Sequence, residues 1–199
     1  MKIAIIPARG GSKRIPKKNI KIFNGKPMIV WAIEKVKESK FFDQIVVTTD
    51  DAGIMEIANK HGAKTPFKRS KELSDDFTIT VPVIANAIIE CEKLEWKIDY
   101  ACCVYPCSPF IKVEDFEKSY NKMIQGDFEF IYPVTEYRHP IQRAMSFNKK
   151  GMMELEFSES NKARTQDYKK LYHDTGQFYW GTRNAWVNQK KCIQMEPLL

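Results

Sequence analysis

The sequence predicts an α/β fold in which a mostly parallel sheet is sandwiched by helices. Short apolar runs of strand length alternate along the chain with longer amphipathic segments, and the connections between them are short. A loop rich in glycine and basic residues follows the first apolar run, which is where an open α/β sheet binds its ligand. The 199 residues suffice for a single domain with a full hydrophobic core.

The individual elements follow from these patterns in chain order. Strands are predicted at residues 3–6, 44–48, 63–67, 100–104, 128–133 and 176–180. Helices are predicted at residues 26–40, 51–60, 78–94, 113–125 and 182–189, and a polar loop at 68–77. Asp50 and Asp51 are interpreted as the structural cap of the second helix. Residues 137–173 are polar, with hairpin-like pieces around Gly151, and are predicted to form a small lobe inserted into the single domain 1–199.

The composition argues against several classes of protein. The chain has no apolar run of 18 residues, and the apolar stretch before Pro7 is too short for a signal peptide, so we expect a cytoplasmic protein without a membrane partner. An odd number of cysteines without a CxxC pair favours reduced, buried thiols over disulfides or a zinc site. Cys107 falls in a predicted loop, where it could lie near a ligand. The cysteines are Cys91, Cys102, Cys103, Cys107 and Cys192.

The positive charge of the chain is concentrated at its start. The formal net charge is +7, and residues 1–33 contain eight basic residues and no acidic one, so the remainder of the chain is close to neutral. A nucleic-acid-binding protein usually spreads basic residues over a whole face, whereas a local cluster suits a small polyphosphate. A nucleic-acid binder is therefore the weaker alternative.

The basic loop after the first strand has the chemistry of a phosphate site. Gly10 and Gly11 would let the backbone approach phosphate oxygens, and Arg9 and Lys13 would offset their charge. The spacing fits neither a Walker A loop nor a GxGxxG turn. The residues alone leave open a structural glycine turn flanked by surface lysines.

The order of several motifs resembles one enzyme family. The loop Pro7-Ala8-Arg9-Gly10-Gly11-Ser12-Lys13-Arg14-Ile15-Pro16-Lys17-Lys18-Asn19-Ile20 is similar to the opening of the acylneuraminate cytidylyltransferases, the CMP-sialic acid synthetases and their relatives. Residues 42–51, 69–76, 106–109, 139–140 and 176–179 resemble further segments of that family in the same order. Residues 14–16, 74–78 and 172–180 look most like the pseudaminic acid cytidylyltransferases.

The resemblance implies a fold, a reaction and site residues. The fold is the Rossmann-like one of the nucleotide-diphospho-sugar transferases, and the reaction transfers CMP from CTP to the anomeric hydroxyl of a nonulosonic acid, releasing pyrophosphate. The implied catalytic residues are Arg9, Lys13 and Lys18. The implied nucleotide-binding residues are Arg9, Gly10, Gly11, Ser12, Lys13, Asn19, Arg69, Thr80 and Ser108. The implied sugar-binding residues are Tyr105, Gln142, Arg164 and Tyr179.

The sequence also departs from the family pattern. Tyr105 and Gln142 stand where relatives often have Gln and Lys, which fits a nonulosonate other than N-acetylneuraminate. Relatives continue into a strand whose Asp-x-Asp pair holds Mg²⁺, whereas this sequence ends at Leu199 without such a pair, so Mg²⁺ is expected but its ligands are unassigned. The alternatives are the same reaction on N-acetylneuraminate, legionaminate or Kdo, or a truncated nucleotide-binding protein with weak catalysis. The resemblance further implies a homodimer formed through the inserted lobe.

Overall fold

The computed structural model describes residues 1–157 and 164–191. Cys192, the chain end at Leu199 and residues 158–163 of the predicted lobe lie outside the described residues. The chain divides into two units, one made of Met1–Tyr132 with the described part of Gly176–Leu199, and the other made of Pro133–Thr175. In the described ranges, the structure contains no helix that is both long and apolar enough to cross a membrane.

Short strands and helices alternate in the first unit, and the described residues of the second unit form strands and 3₁₀ turns. The strands are β1 Lys2–Pro7, β2 Ile22–Phe23, β3 Lys26–Pro27, β4 Gln44–Thr48, β5 Tyr100–Val104, β6 Phe130–Ile131, β7 Val134–Glu136, β8 Met145–Phe147, β9 Met153–Leu155, β10 Tyr172–Asp174 and β11 Phe178–Thr182. The α-helices are α1 Met28–Ser39, α2 Ala52–Lys60, α3 Thr80–Glu92, α4 Val113–Gln125 and α5 Arg183–Val187.

Five strands form the central sheet of the first unit, in the order β4-β1-β5-β11-β6. β1 pairs with β4 and with β5 in parallel, while β11 is antiparallel to both β5 and β6. The predicted α/β class is therefore correct, and the sheet is mixed but mainly parallel, with β11 antiparallel to its two neighbours. Alternation of side chains along a strand sends neighbouring residues to opposite faces, and each face is covered by helices.

The two faces of the sheet have separate cores. Ala4 and Ile6 belong to the core under α1 and α4, whereas Ile3 and Ile5 belong to the core under α3 and α5. Trp180 of β11 is fully buried in the first core, and its indole N–H donates to the carbonyl oxygen of Phe116 at 3.1 Å. A buried indole needs such a partner, because an unsatisfied donor in the core is costly.

Two predicted elements differ from the structure by more than their exact bounds. The predicted strand at 63–67 is wrong: only Lys64 forms a bridge, to Val46, and Pro66 has no N–H to extend a ladder. The helix predicted from residue 26 begins at Met28, because β2 and β3 form a hairpin around Asn24 and Gly25, whose φ angles are +46° and +84°. Both residues favour the left-handed conformation that a two-residue hairpin turn requires.

The second unit consists of two antiparallel pairs. β7 pairs with β10, and β8 pairs with β9 in a hairpin whose turn contains Gly151 at φ +76°. The hairpin-like pieces predicted around Gly151 are this β8–β9 pair. Large apolar side chains are exposed on the unit, with Phe147 at 75% the most exposed of them.

Candidate active site

A cavity of about 780 Å³ lies in the first unit, at the carboxyl ends of the parallel strands. The loop after β1 and the loop after β5 form two of its walls, and the segment before α3 forms a third. The position agrees with the rule that open α/β sheets bind ligands at these strand ends. The lining residues are Pro7, Arg9, Ser12, Lys13, Arg14, Ile15, Lys18, Asn19, Arg69, Leu73, Asp75, Asp76, Thr78, Thr80, Val83, Tyr105, Pro106, Cys107 and Gly176.

The basic loop after β1 is held by hydrogen bonds at both of its ends. Near its start, the backbone N–H of Gly10 donates to Asp50 Oδ1 at 3.0 Å, and that of Ser12 donates to the carbonyl of Gly10 at 3.0 Å. Near its end, the buried side chain of Asn19 donates through Nδ2 to the carbonyl of Arg9 at 2.9 Å. These bonds bring the two ends of the loop together, so that the basic side chains between them project from a closed turn.

The two glycines of the loop have different surroundings. A Cβ added to Gly10 would lie 2.8 Å from Asp51 Oδ2 and 2.9 Å from Asp51 Cβ, so this position has no room for a side chain. A Cβ added to Gly11 would meet nothing within 4 Å. Gly10 is therefore required for packing against the second helix, and Gly11 leaves open space beside the backbone.

Five basic side chains face the cavity, namely Arg9, Lys13, Arg14, Lys18 and Arg69. Four come from the loop, and the fifth, Arg69, comes from the segment between α2 and α3. Their shared cavity gives the concentration of positive charge that the sequence predicted for the start of the chain. Fixed cations in a partly enclosed site stabilise anionic ligands more strongly than cations in open water do.

Arg69 is the buried member of this group, with 4% of its surface exposed. Its backbone N–H donates to the carbonyl of Thr49 at 2.9 Å, and its Nε donates to Ser74 Oγ at 3.0 Å. Its Nη2 lies 3.8 Å from Asp50 Oδ1. Burial lowers the pKa of Arg69, and the neighbouring Asp50 opposes this effect. The guanidinium remains charged at neutral pH, because its pKa starts so high.

Two carboxylates face the same cavity. Asp76 Oδ1 lies 2.8 Å from Arg9 Nη1, and Asp76 Oδ2 pairs with Lys13 Nζ. A hydrogen bond from Lys13, followed by its charge and the contact with Arg9, lowers the pKa of Asp76. The Asp75 carboxylate accepts from the N–H groups of Phe77 and Thr78, and bonds with Thr78 lower its pKa. Sequence reasoning assigned no role to either acid.

The part of the cavity formed by Thr80 and Tyr105 is lined by hydroxyl groups and an aromatic ring. The hydroxyls of Thr80 and Tyr105 lie 3.0 Å apart, and the ring of Tyr105 packs edge-on against Tyr179 at 5.6 Å. Cys107 Sγ lies 3.5 Å from Asn19 Oδ1, and burial raises the pKa of this thiol. Cys107 therefore lies in the cavity wall, as its predicted loop position suggested.

The remaining predicted residues lie outside the cavity lining. In the first unit these are Gly10, Gly11, Ser108 and Tyr179; Ser108 is buried, and its hydroxyl donates to the carbonyl of Gly176 at 3.5 Å. Gln142 and Arg164 belong to the second unit. There, Gln142 Nε2 donates to the carbonyl of Lys169 at 3.3 Å, and Arg164 Nε donates to Asp167 Oδ2 at 2.9 Å.

The described residues do not fit a Mg²⁺ site by themselves. Within residues 1–157 and 164–191, no three His, Cys, Asp or Glu side chains are grouped as metal ligands. The carboxylates nearest the cavity are already engaged: Asp76 with two cations, Asp75 with backbone N–H groups, and Asp51 with the N–H of Ile54 as the cap of α2. Of the two residues predicted to cap the second helix, Asp51 is the cap, whereas Asp50 instead accepts from the N–H of Gly10.

Comparisons with known proteins agree on one family. A family model described as cytidylyltransferase matches residues 3–193. A pseudaminic acid cytidylyltransferase of Campylobacter jejuni is 43% identical over 94% of this chain and 81% of its own length. An N-acylneuraminate cytidylyltransferase of Oncorhynchus mykiss is 30% identical over 90% of this chain and 41% of its own length.

A solved structure is similar to this chain in its fold. It is a CMP:2-keto-3-deoxy-manno-octonic acid synthetase complexed with CTP, with a TM-score of 0.70 and 18% identity. The match covers 98% of this chain and 80% of the other. At 18% identity, this similarity supports the α/β architecture with its mixed, mainly parallel sheet, and it carries no information on substrate or residue roles.

Proposed function

The chain belongs to the cytidylyltransferase family, and we propose that it transfers CMP from CTP to the anomeric hydroxyl of pseudaminic acid. The observation that carries the proposal is the grouping of five basic side chains around one cavity, four of them from the loop after β1. A triphosphate is the ligand whose charge and size suit such a cavity. The choice of pseudaminic acid is supported by the name of the Campylobacter jejuni relative.

The proposed reaction is a displacement at the α-phosphate of CTP. The sugar hydroxyl gives its proton to solvent and forms a bond to the α-phosphorus, the bond from that phosphorus to the bridging oxygen breaks, and pyrophosphate leaves. Arg9, Lys13 and Lys18 hold the phosphates and offset the negative charge that grows on the leaving group. Cations that are held in place before the reaction need no rearrangement at the moment of transfer, and the closed backbone of the loop supports this role for them.

The nucleoside and the sugar acid would occupy the rest of the site. Arg69 and Thr80 are proposed to hold the nucleoside, with Arg69 fixed in place by Ser74. Tyr105 is proposed to face the sugar, with Tyr179 packed behind its ring. An aromatic wall in place of the amide that relatives often carry favours a sugar with more apolar substituents. Gln142 and Arg164 remain predicted sugar contacts.

Mg²⁺ belongs to the proposal only as a counter-ion of CTP. Mg²⁺ keeps several waters and binds mainly to phosphate oxygens when it accompanies a triphosphate, so few protein ligands are needed. The described residues do not fit a metal site, so the proposed catalytic groups are the basic side chains alone. Pyrophosphate release measured with Mg²⁺ and then with EDTA tests the requirement, and equal rates in both would remove Mg²⁺ from the proposal.

The substrate is tested by comparing sugar acids in one assay. The protein is incubated with CTP, Mg²⁺ and one of pseudaminic acid, N-acetylneuraminic acid, legionaminic acid or Kdo, and pyrophosphate is measured. We expect the highest kcat/KM with pseudaminic acid. Turnover with N-acetylneuraminic acid and none with pseudaminic acid would refute the choice of sugar. Thermal stabilisation by CTP without pyrophosphate from any sugar would instead identify a nucleotide-binding protein without turnover.

We propose further that the protein is a homodimer held by its second unit. Among the described residues of Pro133–Thr175, eight large apolar side chains are exposed, and large exposed apolar patches mark protein–protein contacts. They are Val134, Tyr137, Met145, Phe147, Met152, Met153, Phe157 and Tyr172. Light scattering should give twice the chain mass, and Phe147→Glu should give the monomer mass. A monomer at micromolar concentration in the unmodified protein would contradict this.

A further inference from the structure

The Asp76 carboxylate forms ion pairs with Arg9 and Lys13, two of the side chains that are predicted to bind phosphate. The two oxygens of Asp76 are divided between them, Oδ1 lying 2.8 Å from Arg9 Nη1 and Oδ2 pairing with Lys13 Nζ. Arg9 also donates to the backbone carbonyl of Asp75. The arrangement resembles the way in which one phosphate group divides its oxygens between two basic side chains.

The position of Asp76 is fixed by bonds that do not involve its own carboxylate. Arg69 Nε donates a hydrogen bond to Ser74 Oγ at 3.0 Å, and the hydroxyl of Thr78 donates to the carbonyl oxygen of Glu72 at 3.0 Å. Asp75 accepts from the N–H of Phe77 at 3.0 Å. This network closes the segment before α3 into a tight turn, and the turn presents Asp76 to the basic loop.

We propose that Asp76 competes with the nucleotide triphosphate for Arg9 and Lys13, and so sets the affinity of the site for phosphate ligands. The carboxylate carries one negative charge and is pre-placed, which keeps the two cations oriented. A triphosphate carries several negative charges and exchanges its own oxygens for those of Asp76. The exchange lowers the affinity for CTP and for pyrophosphate alike, because each must displace the same ion pairs. Asp76 is thus a positioning residue that acts through Arg9 and Lys13.

This inference rests on the proposed function, since it takes Arg9 and Lys13 to be phosphate ligands. The test compares the unmodified protein with Asp76→Asn and with Glu72→Gln. Glu72 lies in the same segment but not in the cavity lining, so its variant removes the same charge without touching Arg9 or Lys13. Binding of inorganic tripolyphosphate and of CTP is measured by calorimetry in EDTA, so that no metal contributes.

The expected result is tighter binding in the variant that lacks the carboxylate. Asp76→Asn should bind both tripolyphosphate and CTP about three- to tenfold more tightly, as the loss of two partly exposed competing ion pairs implies. Glu72→Gln should stay within about twofold of the unmodified protein, since distant exposed charges are screened by salt. Damage to the fold would weaken binding, so a gain in affinity separates competition from a merely structural role. Asp76→Ala, a second neutral variant, should show the same gain.

The outcomes that overturn the inference differ from those that overturn the proposed function. Unchanged or weaker tripolyphosphate binding by both neutral Asp76 variants would show that the carboxylate does not compete. An equal gain in phosphate affinity by Glu72→Gln would show that the effect comes from the loss of one negative charge anywhere on the protein, and it would also overturn the inference. Tripolyphosphate binding that tightens in Asp76→Asn, together with CTP binding no better than that of tripolyphosphate, would support the competition and refute a cytidine nucleotide as the ligand.

Discussion

Replacement of Gly10 by alanine tests how closely the basic loop packs against the second helix. The new Cβ would lie 2.8 Å from Asp51 Oδ2 and 2.9 Å from Asp51 Cβ, and both distances are too short for the present geometry. Asp51 cannot move without weakening the bond from the N–H of Ile54 to Asp51 Oδ1, which is 2.9 Å long and caps α2. The substitution therefore forces either the loop or the helix cap to shift.

The expected cost follows from these two contacts. Overpacking by one methyl group costs about 1–3 kcal/mol, and loss of a helix cap costs about 0.5–2 kcal/mol. A shift of Asp51 that relieves the clash with the new methyl group weakens the helix cap. We therefore expect the free energy of unfolding of Gly10→Ala to fall by about 2 kcal/mol. For a chain of this size, that corresponds to a drop in Tm of about 4–8 °C.

Gly11→Ala is the matched control, since its added methyl group meets nothing within 4 Å. Urea unfolding should leave its stability within about 0.5 kcal/mol of the unmodified protein. Its CTP affinity, measured by calorimetry, should nevertheless fall about tenfold, because the methyl group occupies the space by which phosphate would approach the backbone. A Gly10→Ala variant as stable as Gly11→Ala would refute the packing argument. Unchanged CTP affinity in Gly11→Ala would refute its assignment as a phosphate contact.

Three further predictions follow from single side chains. Arg69→Lys should bind CTP about tenfold more weakly in calorimetry, because an ammonium group cannot keep the fixed geometry of the buried guanidinium; equal affinity would contradict its role. A hydrogen bond from Arg183 lowers the pKa of Glu92, so its stabilisation is present at neutral pH and is lost as the pH falls through the pKa of the folded state. Thermal unfolding of Glu92→Gln should therefore show a lower Tm than the unmodified protein at pH 7, and this difference should shrink as the pH falls below the usual range of a Glu carboxyl, whereas a difference independent of pH would exclude this linkage. Iodoacetamide should label Cys107 slowly at neutral pH, because burial raises the pKa of the thiol, and CTP should slow the labelling further in peptide mass spectra; labelling unaffected by CTP would place the nucleotide elsewhere.

The sequence predicts elements best where a pattern is both strong and bounded. The strands at 44–48 and 100–104 and the helix at 113–125 agree with the structure at both ends. The helix combines an acidic first turn, through Glu114 and Asp115, with a glycine directly after its last residue. These are local signals with a physical cause, since acidic side chains suit the helix N-terminus and glycine tolerates the helix end.

Other features had either an overlooked signal or none. The β2–β3 hairpin was signalled by the Asn24-Gly25 pair, which is typical of a two-residue turn. The antiparallel direction of β11 had no local signal, because an apolar run reads the same in both directions. The pairing of Asp76 with Arg9 could not be predicted either, since it joins two loops far apart in the chain and depends on the path between them. The grouping of the loop's basic side chains at one cavity could be predicted, because a dense run of basic residues around two glycines is itself unusual.

The antiparallel strand β11 has a consequence for how the protein is made. β5 is buried between β1 and β11, yet β11 is synthesised only after α4 and the whole of Pro133–Thr175. Synthesis proceeds at about 5–20 residues per second, so one edge of β5 stays unpaired for several seconds while the chain is still on the ribosome. That edge carries the apolar run Ala101-Cys102-Cys103-Val104, and unpaired apolar edges recruit other chains. We therefore expect solubility during expression to depend on the time between synthesis of β5 and emergence of Thr182 from the ribosome. Slow codons between β5 and β11 would lengthen this time and favour aggregation, although the folded protein itself would be unchanged.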